Sequence, residues 1–172
     1  MKSLNLHVEQ GLSEKESTSS EPIPSRILVP IDGSQNATRA LNVGINLSKT
    51  YGAELVVLNV IPTPSVLVEA PIGLGMTPTG LDLYYEQQER DANHFVEEAM
   101  GVAKAQGAAK ARSKVTRADK SVVQEIIETA THEKIDLIVI GTRGLGGFRK
   151  LLQGSVSSGV VAHAHCNVLV VR

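Results

Sequence analysis

The sequence contains no tryptophan, and aromatic residues of all kinds make up 3% of its 172 residues. Stacking platforms for single-stranded nucleic acid are hard to build from that. Charge of one sign is lacking too. The formal net charge is −1 at pH 7, which gives neither nucleic acid nor an anionic membrane an electrostatic reason to bind. Cysteine occurs once, as Cys166. A lone cysteine forms no internal disulfide, so a reducing, cytoplasmic compartment is expected. No apolar run reaches the roughly 18 residues of a membrane helix, and the N-terminus has no signal-peptide-like apolar stretch. What is present is 42% apolar and 20% charged, the composition of a globular domain with enough chain to bury a core.

Residues 1–24 read as a flexible tail. The stretch Ser13-Glu14-Lys15-Glu16-Ser17-Thr18-Ser19-Ser20-Glu21 is polar and without apolar period, so it cannot offset its own ordering entropy. Leu4, Leu6 and Val8 alternate and could form a short strand. The domain is expected over residues 25–172. Ile27-Leu28-Val29-Pro30-Ile31 is a short apolar run of buried-strand type. Asp32-Gly33-Ser34 makes a turn, and Ser34 is placed to cap a helix with Ala37, Ala40, Leu41, Gly44, Ile45 and Ser48 on its inner face, ended by Gly52. Glu54 to Ile61 is a second buried strand. Residues 62–80 hold four prolines and three glycines, a long loop of the kind that often carries function. A helix follows from about Leu81 to Gln106, with Ala92, Phe95, Val96, Ala99 and Ala103 as its apolar stripe. A weak strand lies at about Arg112 to Thr116, a helix around Val122 to Ala130, a strand at Asp136 to Ile140, a short helix from Ser155 to about His163, and a last strand at Val168 to Val171. Alternating strands and helices predict an α/β fold, a Rossmann-like doubly wound domain with a five-stranded parallel sheet and helices on both faces. Such sheets bind ligands beyond the strand carboxyl ends at the switch point. The loops after Ile31, Val60 and Ile140 are therefore the ones to inspect.

The segment from Gly141 to Ser155 leaves a buried strand, carries Gly141, Gly144, Gly146 and Gly147, and enters a helix at Gly154-Ser155. Glycines let backbone N–H groups approach an anion, and a helix N-terminus supplies unpaired donors. The same residues equally describe a turn-rich connection with a serine cap. Gly154 runs directly into Ser155, without the lysine of a P-loop. Arg149 stands where a dinucleotide fingerprint starting at Gly144 needs glycine.

The spacing Gly141-x₂-Gly144-x₉-Gly154-Ser155 resembles the nucleotide signature of ATP-binding universal stress proteins. The resemblance runs from about Arg26 to Arg172, through Ile27 to Ser34 at the start, Asn59-Val60 at the end of the second strand, and Asn167 to Val171 at the close. It implies that Asp32 and the backbone of Val60 hold the adenine, lined by Pro30 and Ile31. Gly141 and Gly144 would shape the ribose and phosphate path, and Gly154, Ser155, Val156 and Ser157 would cap the phosphates. Mg²⁺, or Mn²⁺ in its place, would bridge phosphate oxygens. Asn167 stands where the family commonly has proline, and the tail before Ser25 has no family counterpart.

Arg143, Arg149 and Lys150 sit in or beside the glycine loop, either reaching phosphate or solvated. Asp32 could also simply cap the following helix. His163-Ala164-His165-Cys166 has the wrong spacing for a common zinc site. No Ser–His–Asp or Cys–His set can be assembled, and no general base stands beside the cradle. A nucleotide-dependent sensor or switch with unknown regulatory protein partners is therefore expected, against the alternatives of a slow ATPase or phosphoryl-transfer enzyme and of an AMP or cyclic-nucleotide sensor. The apolar strand Val168 to Val171 is expected at the sheet edge, pairing with its copy in a homodimer.

Overall fold

The computed structural model describes residues 23–64, 78–142 and 154–172. Most of the tail, the greater part of the loop at 62–80, and Arg143, Gly144, Gly146, Gly147, Arg149 and Lys150 lie outside them. Strand β1 (Arg26–Ile31) leads into helix α1 (Gln35–Tyr51), β2 (Glu54–Ile61), α2 (Pro78–Ala105), β3 (Ala111–Arg117), α3 (Val122–His132), β4 (Leu137–Gly141), α4 (Ser155–His163) and β5 (Asn167–Val171). All five strands are parallel, in the order β3-β2-β1-β4-β5. The third strand, weak in the sequence, pairs along its whole length with β2, from Leu55↔Ala111 to Ile61↔Arg117. Helix α2 starts at Pro78, earlier than its apolar stripe indicates.

Because successive strand side chains point to opposite faces, the continuous apolar runs of β1, β2 and β4 must be covered on both sides. One core packs Ile27, Val29, Ile31, Leu55 and Val57 under α1 and α2. The inner face of α1 is the six residues expected from its spacing, Ala37, Ala40, Leu41, Gly44, Ile45 and Ser48. The other core packs Leu28, Val56, Leu58, Ile138 and Ile140 against Ile126 and Ala130 of α3 and Val160 of α4. Helices thus cover both faces, and the order reverses between β1 and β4.

Pro30 opens the sheet at that reversal. The Arg26 carbonyl accepts from the Asp136 N–H, so by alternation the backbone groups of residues 26, 28 and 30 turn toward β4. Pro30 has no N–H to give. The β1–β4 ladder holds at Ile27↔Leu137 and Leu28↔Ile138, whereas β1 stays paired with β2 up to Ile31↔Asn59. The β1–β4 ladder therefore stops short of the strand ends at the switch point, the place where a doubly wound sheet has its ligand crevice.

Candidate functional site

Three segments meet at that crevice. The first is the turn after β1. Gly33 takes φ 79°, and a Cβ there would lie 2.6 Å from the Phe95 ring of α2; both the backbone and the overlying ring require glycine. The Ser34 N–H donates to the Asp32 carboxylate at 3.0 Å, and the Ser34 hydroxyl accepts from the Ala37 N–H, capping α1. Asp32, half-buried, is thereby held at the mouth of the crevice by its own turn. The capping residue is Ser34, as expected, and Asp32 buttresses it.

The second segment is the end of β2. Its odd-numbered backbone groups face β3: the Leu55 N–H donates to the Lys110 carbonyl, and the Ile61 carbonyl accepts from the Ala118 N–H. Alternation turns the N–H and C=O of Val60 toward β1 and the crevice. Beside it, the Asn59 side-chain amide, buried among apolar neighbours, donates to the Ile31 carbonyl at 2.9 Å.

The third segment joins β4 to α4. Thr142 is the node here. Its N–H donates to the Val171 carbonyl at 2.8 Å, and its own carbonyl accepts from the Gly154 N–H at 2.6 Å and from the Ser157 hydroxyl at 3.1 Å. The two ends of the intervening loop are thus pinned together. Gly154 is the N-cap of α4 and offers no side-chain cap, so the first-turn N–H groups of Ser155, Val156 and Ser157 lie at the positive end of the helix without one. Ser155 is exposed and Val156 packs into the α3/α4 core. Ser157 is buried, and its one hydroxyl hydrogen is shared between the Thr142 and Gly154 carbonyls.

Gly141 stands at the end of β4 for a reason the spacing did not reveal. A Cβ there would come 2.7 Å from the carbonyl carbon of Asn36 and 2.8 Å from its oxygen. The space of the missing side chain is filled by the first turn of α1, which brings the two helix N-termini of the site toward one another. Pro30, Ile31, Asp32, Val60, Gly141, Gly154, Ser155, Val156 and Ser157 all fall on the three segments that meet here, and Arg143 and Gly144 lie outside the described residues. Sequence reasoning missed the roles of Asn59, Thr142 and Phe95. Asn59 left a signal, a polar side chain in an otherwise apolar strand.

The histidine and cysteine cluster lies elsewhere. His163 contacts the Gly159 carbonyl through Nδ1 at 2.9 Å, and burial pushes the Cys166 thiol up, with Asp136 adding in the same direction. Among the described residues, no helix is long and apolar enough to cross a membrane.

The model of the universal stress protein family matches residues 24–172. The chain is 30% identical over 149 residues to universal stress protein YxiE of Bacillus subtilis (strain 168), covering 86% of this chain and 99% of that protein. Among solved structures it is similar to universal stress protein UspA from Lactobacillus plantarum, with a TM-score of 0.70 and 28% identity over 86% of this chain and 97% of the other. A universal stress protein solved in complex with cAMP shares the fold, with a TM-score of 0.65 and 24% identity over 88% and 99% of the two chains. The chain belongs to the universal stress protein family.

Proposed function

We propose that this protein binds ATP in the crevice between β1 and β4 and acts as a nucleotide-dependent sensor or switch in a stress response. The observation that carries the reading is the meeting of an acidic turn, a strand end and an uncapped helix N-terminus at one switch point. Asp32 and the Val60 backbone carbonyl present acceptors to an adenine edge. Pro30 and Ile31 form the wall beneath it. The N-terminus of α4 suits phosphate, because Gly154 brings no side chain between the Ser155 and Val156 N–H groups and an anion. Arg143 and Gly144 complete the proposed contacts. The donor set fits a polyphosphate, and Mg²⁺ or Mn²⁺ would neutralise and bridge its oxygens there. The cAMP complex of a structural relative supports the adenine end of this reading. The long Gly141–Ser155 pattern favours a polyphosphate over a cyclic monophosphate.

Titration calorimetry with ATP, AMP and cAMP, with and without Mg²⁺, tests it. ATP should bind most tightly, and Gly154→Val should abolish that preference by placing a branched side chain at the helix mouth. Equal affinity of the variant for ATP would remove α4 from the site.

The same reading includes a homodimer joined along β5 in a cytoplasmic setting. Among the described residues strand β5 pairs with β4 alone, and Leu169 on its α1 side is 40% exposed. An apolar, half-paired edge is satisfied by its own copy across a two-fold axis. Light scattering should give twice the chain mass at micromolar concentration, and Val170→Pro should reduce it to one.

A further inference from the structure

Asn59 is the most deeply buried polar side chain on the described part of β2. It projects to the α1/α2 face, as Leu55 and Val57 do. Its hydrogen bond to Ile31 is not part of any ladder. Ile31 and Asn59 are partners in register, so the Ile31 carbonyl already faces the Val60 N–H across the last β1–β2 rung. The side-chain amide adds a second donor to the same oxygen. That rung is the final one before the chain leaves the sheet at Asp32, and on the other flank Pro30 has withdrawn the support of β4. The direction in which Asp32-Gly33-Ser34 departs thus depends on how firmly the Ile31 carbonyl is held.

We propose that Asn59 is a positioning residue: by clamping the Ile31 carbonyl it fixes the Asp32 carboxylate and the Val60 backbone in one geometry, so that the crevice discriminates adenine from other purines. The inference rests on the adenine-nucleotide reading for its consequence and on the hydrogen bond alone for its cause. A buried amide in an apolar environment is costly unless bonded, which explains why a leucine-like position carries asparagine only where there is a carbonyl to hold.

Asn59→Leu keeps the shape and removes the donor, and Asn59→Ala serves as the second variant should leucine fail to fold. Two measurements on the full chain decide the matter. In the first, affinities for ATP, ITP and inorganic tripolyphosphate are compared. Losing one such bond should lower ATP affinity about fivefold and leave ITP and tripolyphosphate unchanged. Equal loss for all three ligands, or no loss for ATP, would overturn the proposal. In the second, amide hydrogen exchange without nucleotide should accelerate at residues 32–34 in the variant. If the unmodified protein binds no adenine nucleotide, the functional reading fails, and exchange alone then decides: unchanged protection at residues 32–34 overturns the clamp as well.

Discussion

The two ends of the sheet are held by different chemistry. At the amino ends of the strands, charge does the joining. Glu54 of β2 pairs with Arg26 of β1 at 3.3 Å and with Arg112 of β3. Arg112 reaches on to Glu133, at the end of α3, at 2.6 Å, and Lys114 approaches the same carboxylate at 3.4 Å. The Arg26 guanidinium also donates to the Glu133 carbonyl. At the carboxyl ends no ion pair joins one strand to another among the described residues: Arg117, at the end of β3, pairs with Glu89 of α2 at 2.6 Å, while beside the switch point neutral side chains bond to backbone, Asn59 to Ile31 and Ser157 to Thr142, and Gly33 and Gly141 permit close approach. Ion pairs between half-exposed side chains tolerate movement and are screened by salt. A backbone clamped by buried neutral groups does not move as easily, and among the described residues the charged side chain beside the switch point is Asp32. The lower end ties strands together, whereas the upper end sets a geometry.

Breaking the upper end should have the larger effect. Gly141→Ala forces a methyl group onto the backbone of α1, and backbone cannot rotate aside as a side chain can. Destabilisation of about 3 kcal/mol is expected, at the upper end for overpacking, read as a fall in the denaturant midpoint. Gly33→Ala should follow at about 2 kcal/mol, from left-handed backbone strain together with displacement of the Phe95 ring. Ser157→Ala removes one of two donors from the Thr142 carbonyl and should cost about 1 kcal/mol, while weakening ATP more than adenosine because the glycine-loop ends loosen. Equal weakening of both ligands would mean that the pinned loop does not shape the phosphate end.

These substitutions also mark what was legible in advance. The apolar runs of β1, β2 and β4 and the inner face of α1 could be read directly, because burial on both faces or along one stripe leaves a period in the sequence. The candidate site residues could be expected together because the order of elements and the glycine spacing both point to the carboxyl ends of the strands. The reasons for individual residues could not. Gly141 is spaced like a ligand contact, yet what fills its missing Cβ is Asn36, more than a hundred positions away in the chain. Ser157 reads as a free hydroxyl until the fold brings the Thr142 carbonyl within 3.1 Å. The ladder of β3 was faint because this edge strand carries Arg112, Lys114 and Thr116 on a face closed by ion pairs and a hydrogen bond, so its sequence lacks an apolar run.

Glu133→Gln probes the lower end, and its effect should be the smallest at neutral pH. The hydrogen bond from Arg112 holds the Glu133 carboxyl below the usual carboxylate range, partial burial opposes it, and Lys114 lowers it further. Near pH 4 the unfolded chain, with its glutamates titrating at about 4.3, binds a proton that the folded chain does not. Stability therefore rises with pH in that region. The contribution is present above the unfolded value and is lost as pH falls through the folded one. Arg112, whose own value is raised by the Glu54 and Glu133 carboxylates, stays charged throughout and adds no slope. In the variant, the acid limb of thermal stability below about pH 5 should be shallower than in the unmodified protein, and the dependence of the melting temperature on salt should shrink. ATP affinity should stay the same, because the substitution lies at the opposite end of the strands. A variant that keeps its acid limb would show that Glu133 is not what gives way in acid, and one that loses ATP would show that the two ends of the sheet are mechanically joined.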